Sequence, residues 1–394
     1  MIRITTFANR RVAVFGLGGS GLAAAQALSD GGATALCWDD GAAGREAAVA
    51  AGFIVEDLST ADWSTITALI LAPGVPLTHP EPHWVVKKAR AAGCEIIGDV
   101  ELFFRQRVLE CPEAPVVCIT GTNGKSTTTA LVAHILRSAG RDVQMGGNIG
   151  KAILTLEPPS IDRTYVIEIS SFQIDLTPSL APTVGVLLNI SPDHIERHGT
   201  LANYADIKAR VINSARMAVV GVEDGLADEE LSDRIAHAAD HDGAPVSMFS
   251  RRRAQTSLVT YCEDAKLQRF VPLGNGFGIL EVLTDVSGIA SLRGAHNQEN
   301  AAAAFNICEW LGLAHDQIGA GMKTYPGLAH RMEEVGRAGD VLFINDSKAT
   351  NAEAAEKALL SFPSDIYWIL GGKPKEGGIA MLEPLFERVA KAYL

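Results

Sequence analysis

Short apolar runs alternate with alanine-rich amphipathic stretches along most of this chain. Val12 to Phe15, Ala33 to Trp38 and Ala68 to Leu71 are apolar runs of strand length, and Gly21 to Leu28 between the first two predicts a helix. The order strand, helix, strand predicts a parallel sheet with right-handed crossovers. The rhythm returns with the apolar run opening VVCITGTNGKSTTT, then Tyr165 to Ile169 and Val184 to Leu188. A third segment begins beyond Gly294, with a helix over Asn297 to Leu311 and strands at Val341 to Ile344 and Ile366 to Leu370. The last residues, ERVAKAYL, read as a helix pattern running into the start of a strand. The fold class predicted is α/β.

At 394 residues the chain exceeds one ordinary core, so two or three domains are expected. A stretch from Gly98 to Pro115 with two prolines marks one boundary, and the polar residues 221 to 257 read as an excursion. A net charge of −12 argues against non-specific nucleic-acid binding, which needs clustered cations. Arg251-Arg252-Arg253 reads as a solvated surface patch. No segment approaches the roughly 20 apolar residues of a membrane span, and the N-terminus lacks the apolar core of a signal peptide. Scattered cysteines without a CxxC pair read as reduced thiols of a cytoplasmic protein.

Gly16-Leu17-Gly18-Gly19-Ser20-Gly21 follows a strand and opens a helix, a turn that brings backbone amides to a pyrophosphate. Asp39 and Asp40 end the next strand, where a ribose-binding acid belongs. These residues alone suit a nicotinamide dinucleotide and an oxidoreductase, and suit other pyrophosphate ligands equally.

GTNGKST is more specific. Lys125 reaches terminal phosphates, a hydroxyl of Ser126 or Thr127 suits Mg2+, and the amides around Gly121, Thr122, Asn123 and Gly124 can form an anion nest. Ile119 stands where the usual phosphate loop has its first glycine, which predicts a shorter loop. No N-K-x-D run reads guanine, so ATP is favoured. Glu168 lies in an apolar strand, where an acid is costly unless paired or metal-bound. His194 follows the next strand. Lys208, a single lysine on a helix, reads by itself as a surface charge. Downstream, His296, Asn297 and Asn300 open a helix, and Arg331 could balance phosphate charge. Asp346, Lys348 and Thr350 follow a strand, and Lys375 sits in GGKPKEGG.

Together these motifs resemble the ATP-dependent Mur ligases of peptidoglycan precursor synthesis. The resemblance runs through GLGGSG, APGVPLTHP, GTNGKSTTT, GGNIG, IEISSFQ, SPDHIERHG, YADIKARVI, GAHNQEN, LAHRMEEV, NDSKATN and GGKPK. GTNGKST is shared with folylpolyglutamate synthetases. The glycine turn with APGVPLTHP points to the members that join D-glutamate to UDP-N-acetylmuramoyl-L-alanine. The resemblance implies a Rossmann-like UDP-substrate domain over residues 1–98, a central ATPase over 99–294 and a partial Rossmann-like ligase domain over 295–394. It implies a monomer without membrane or nucleic-acid partners.

It also implies roles. Lys125 and Ser126 hold the phosphates and Mg2+, Glu168 and His194 are metal ligands, and Lys208 joins them as a carbamate. Gly18, Ser20, Gly21, Asp39, Gly74 and Asn148 address the UDP substrate, with His194. Asn297, Asn300, Arg331 and Asp346 address ATP, while Lys348, Thr350 and Lys375 help place D-glutamate and the intermediate. The family's third domain extends beyond ERVAKAYL and holds D-glutamate there, so the resemblance implies a chain truncated at its C-terminus. A nucleotide-binding fragment without ligase turnover is the corresponding alternative.

Overall fold

The structure, a computed structural model, describes residues 1–222, 245–250, 259–274, 277–372 and 378–394. The Arg251-Arg252-Arg253 patch, most of the 221–257 excursion and Lys375 lie outside the described residues. The chain divides into two compact units. One holds Met1–Lys125 and Gly140–Val220, and the other Ser126–Ala139 and Ser247–Leu394.

The first unit contains two parallel arrays. In the first, β1 (Arg11–Phe15), β2 (Thr34–Trp38), β3 (Ile54–Val55), β4 (Ile66–Leu71) and β5 (Glu95–Ile97) lie in the order β3-β2-β1-β4-β5. Every pairing in it is parallel. Helix α1 (Gly19–Asp30) follows β1, and α2 (Ala42–Ala50), α3 (Trp84–Ala91) and α4 (Asp99–Glu110) follow in turn. The proline-marked stretch after Gly98 is therefore largely helix. Val100, Leu102, Phe103 and Phe104 of α4 are buried in one cluster with Val12 and Val14 of β1.

The second array uses β6 (Val116–Thr120), β7 (Asp142–Gly147), β8 (Arg163–Glu168), β9 (Val184–Leu187) and β10 (Met217–Gly221). Their order is β10-β9-β6-β8-β7, again parallel throughout. Fully buried apolar strands such as β6 are what a sheet covered on both faces requires. Helix α5 (Lys125–Ser138) follows β6; α6 (Ser171–Asp175), α7 (Ile195–His198) and α8 (Leu201–Asn213) come later. Parallel strands put all their C-terminal loops at one edge, where such sheets bind ligands.

The second unit pairs β12 (Val259–Glu263) in parallel with β11 (Val246–Ser250), then in antiparallel with β13 (Lys266–Gly274), which pairs with β14 (Phe277–Asp285). The helix Ala295–Trp310 packs on β12 through a run of buried alanines ending in Phe305. Beyond it lie the hairpin β15 (Glu333–Ala338) and β16 (Val341–Asn345), and a parallel pair of β17 (Ile366–Ile369) and β18 (Val389–Tyr393). The helix-to-strand reading of ERVAKAYL corresponds to a 3-10 helix Ala380–Arg388 leading into β18.

Candidate active site

The glycine turn after β1 is built for close packing. A Cβ on Gly21 would stand 1.9 Å from the Gly16 carbonyl oxygen, so only glycine lets α1 start there, whereas Gly18 and Gly19 face open space. Asp39, read as a ribose acid, accepts the Leu17 amide at 2.6 Å and the Gly41 amide at 2.8 Å. Its oxygens thus brace the turn itself. Asp40 accepts from Trp84 Nε1 at 3.1 Å and lies 3.0 Å from His83 Nε2. Gly74, in APGVPLTHP, takes Arg197 Nη1 on its carbonyl at 3.0 Å.

The phosphate loop is the shortened form expected from Ile119. That residue is an ordinary ladder position of β6, opposite Glu168 on one side and Val186 on the other. The turn begins at Gly121 and reverses at Gly124, whose φ of +85° favours glycine. Lys125 Nζ donates to the carbonyls of Gly121 at 2.9 Å and Thr122 at 2.7 Å, so its charge lies over the loop. One expectation is corrected. The amide of Thr122 donates to the Asn189 carbonyl and that of Asn123 to Asn189 Oδ1, so neither faces outward into an anion nest. Contacts of these two residues to a nucleotide have to use other atoms.

Glu168 closes β8 and is 2% exposed. Its Oε1 accepts from Asn148 Nδ2 at 2.7 Å, while Oε2 is buried without a hydrogen-bond partner. A buried carboxylate oxygen left bare costs free energy unless a cation meets it.

Lys208 overturns its surface-charge reading. It is 1% exposed, on the buried stripe of α8, with Nζ donating to the Gly121 carbonyl at 2.8 Å and Thr120 Oγ1 at 3.2 Å. The same nitrogen lies 4.7 Å above the Tyr204 ring. Burial first, and then the charge of Lys125, push its amine well below the usual lysine range; Asp193 and Glu168 oppose this. Burial thus makes the ammonium form less favourable here than at an exposed lysine.

His194 stands at the start of α7 in the left-handed region, φ 55°. Its ring is 3.5 Å from Asp193 and 3.8 Å from Glu196, and packs 5.1 Å from Phe172. Among the described residues no three His, Cys, Asp or Glu side chains converge as a ready metal site.

Sequence reading missed His198. It is buried, bonded to Ser171 Oγ at 2.9 Å and stacked on Phe172 at 5.1 Å. Burial above all lowers its pKa to about 4, with the neighbouring Arg197 guanidinium adding to it. Its only sequence signal was its place four residues after His194. Tyr204 was missed too; its hydroxyl lies 3.3 Å from Thr122 Oγ1.

Within the second unit, Arg331 Nη2 donates to Ser126 Oγ at 2.9 Å, and Thr128 Oγ1 donates to Asn300 Oδ1 at 3.2 Å. Asn300 Nδ2 in turn reaches Asn297 Oδ1 at 3.3 Å. Asp346 accepts the Met332 amide at 2.9 Å, and burial raises its pKa. Lys348 and Thr350 are exposed. The structure therefore joins Arg331 to Ser126, and Asn297 and Asn300 to Thr128, two residues further along the same helix.

Comparison with known proteins accounts for these motifs together. Residues 119–308 match the Mur ligase middle domain. The chain is 54% identical over 394 residues to the UDP-N-acetylmuramoylalanine--D-glutamate ligase of Brucella abortus (strain 2308), covering 100% of this chain and 82% of the relative. It is 53% identical to that of Rhizobium meliloti (strain 1021), with the same coverage. Among solved structures, UDP-N-acetylmuramate-alanine ligase MurC of Thermotoga maritima matches with TM-score 0.57 at 17% identity, over 97% of this chain and 84% of that one. MurF of Thermotoga maritima in complex with ADP matches with TM-score 0.52 at 16% identity, over 82% and 73% of the two chains. At these identities the structural likeness establishes the shared fold alone.

Proposed function

Because the chain belongs to the Mur ligase family, we propose that it joins D-glutamate to UDP-N-acetylmuramoyl-L-alanine with consumption of ATP. The observation that carries the reading is the pairing of a phosphate loop with a buried, half-satisfied Glu168 and a buried Lys208 at the same sheet edge. Identity of 54% to relatives bearing this name supports the choice of substrates.

In the proposed reaction the alanyl carboxylate attacks the γ-phosphate of ATP, giving an acyl phosphate and ADP. The amine of D-glutamate then attacks the acyl carbon, and phosphate leaves as the amide forms. Two anions meet in the first step, so the main task of the protein is to neutralise charge. Lys125, whose charge lies over the loop, is the residue proposed to do this. Mg2+, when bound, would screen the phosphates and orient the γ-phosphoryl group. The bare oxygen of Glu168 fits such a cation, and Ser126 and His194 are its further proposed ligands. Carbon dioxide added to the unprotonated amine of Lys208, with one proton lost to solvent, would give a carbamate, converting a donor into an anionic oxygen ligand beside Glu168.

The UDP substrate is assigned to Gly18, Ser20, Gly21, Asp39, Gly74 and Asn148, and ATP to Asn297, Asn300, Arg331 and Asp346. Lys348, Thr350 and Lys375 are assigned to D-glutamate. Three domains, 1–98, 99–294 and 295–394, are proposed on the same ground. The protein is read as a cytoplasmic monomer without membrane or nucleic-acid partners. Its net charge of −12 supports the last point, and no described helix is long and apolar enough to cross a membrane.

Phosphate release is the test, measured with UDP-N-acetylmuramoyl-L-alanine, ATP and Mg2+, with and without D-glutamate. Sustained release that requires both acceptor and donor supports the ligase. ATP binding without turnover would favour a nucleotide-binding fragment, and NADH binding without ATP turnover would favour an oxidoreductase.

A further inference from the structure

Strands β6 and β9 run in parallel register, Thr120 opposite Leu187, and their ladder continues past both strand ends. The Leu188 amide donates to the Thr120 carbonyl at 2.9 Å, and the Thr122 amide to the Asn189 carbonyl at 2.9 Å. The next rung is made by a side chain. Asn123 donates its amide to Asn189 Oδ1 at 2.8 Å, and Asn189 Nδ2 donates to the Asn123 carbonyl at 3.1 Å. A carboxamide is the neutral side-chain group that presents a donor and an acceptor as a peptide does, so Asn189 pairs with Asn123 as one more strand residue would. Beyond it, Thr122 Oγ1 donates to the Ser191 carbonyl at 3.1 Å and accepts the Ser191 amide at 2.9 Å.

We infer that Asn189 is a positioning residue for the phosphate loop. Resting on the nucleotide reading above, the inference adds which residue sets the loop's path. The loop has no outer glycine at position 119 and its first amides point away from any phosphate. Its shape is instead imposed from β9: Asn189 holds the Asn123 peptide from both sides, and the chain can reverse only afterwards, at Gly124. That reversal delivers Lys125 and the start of α5. The same clamp joins the loop to the segment carrying Asp193 and His194, so the two cannot shift independently.

Both halves of the amide are needed, which makes the inference testable. Asn189→Ala removes both bonds. Asn189→Asp keeps the size and the acceptor for the Asn123 amide, but sets an anionic oxygen against the Asn123 carbonyl. Binding of ATP with Mg2+ and of UDP-N-acetylmuramoyl-L-alanine is measured by calorimetry on the full chain, beside the melting temperature. In both variants Kd for ATP should rise about tenfold or more, with Asn189→Asp the weaker binder, while Kd for the UDP substrate stays within about twofold. Asn189→Asp decides the case if Asn189→Ala no longer melts cooperatively. An ATP Kd unchanged in Asn189→Asp, or equal losses for both ligands, would overturn the inference. Wild-type protein that binds no ATP would overturn the nucleotide reading itself, and this inference with it.

Discussion

Asn148 Nδ2 donates to Glu168 Oε1 at 2.7 Å and leaves Oε2, equally buried, with nothing. One oxygen of the pair is thus held by a protein donor, and the other is buried without one. Glu168→Gln preserves an acceptor for Asn148 while removing the charge. Turnover should fall about a hundredfold or more and require far more Mg2+, whereas the melting temperature without Mg2+ should hold or rise. A large fall in melting temperature with normal Mg2+ dependence would mean that Glu168 serves only the core.

Lys208→Ala addresses the carbamate. With the amine gone, carbon dioxide has nothing to add to, so bicarbonate should leave the variant inactive. A short carboxylate such as acetate or formate fits the vacated volume and should restore part of the turnover. Activity at the wild-type level in Lys208→Ala would refute the role.

His198 carries a pH dependence of stability. Its folded pKa of about 4 lies below the value of about 6.5 expected in the unfolded chain. Between those values the unfolded state binds the proton and the native state does not, so stability falls as pH drops from 6.5 toward 4. Between pH 7 and pH 5 the loss from this group is about 2 kcal/mol. Urea denaturation at the two pH values should show that difference in wild type and a smaller one in His198→Gln. Equal pH dependence in the two would dissociate the stacking on Phe172 from any protonation cost.

The parallel strands and the phosphate loop were legible because their signals are local: continuous apolar runs, a glycine turn and a lysine at a helix start. Glu168 was legible for a related reason, since an acid inside Tyr165-Val166-Ile167 has to be compensated. Lys208 was not read from the residues, although the signal was there. Tyr204, Lys208 and Ile212 are spaced by four on one face of α8, so the lysine interrupts an apolar stripe and is carried into the core with it. The family resemblance supplied that role. His198 and Asn189 had no comparable signal. His198 is buried by Phe172 on another helix, and Asn189 acts on Asn123 across 66 residues of sequence. Pairings of that span are made by sheet topology, and nothing adjacent to either residue records them. The amides of Thr122 and Asn123 were misread for the same reason, because a local loop pattern does not show which neighbouring strand consumes them.

Lys125 separates the two halves of the proposed chemistry. Its Nζ spans the Gly121 and Thr122 carbonyls, at the loop that follows β6. The glycine turn after β1 belongs to a different sheet, with its own brace from Asp39. Lys125→Ala should therefore lower phosphate release about a thousandfold while leaving the Kd for UDP-N-acetylmuramoyl-L-alanine within about twofold. A second consequence follows from charge. Lys125 is one of the groups that hold the Lys208 amine below its usual range, so its removal raises the affinity of Lys208 for a proton and disfavours addition of carbon dioxide. Residual turnover of Lys125→Ala should then respond more steeply to added bicarbonate than wild type does. Parallel loss of UDP-substrate binding and phosphate release would show that the two loops are not the separate sites argued for here.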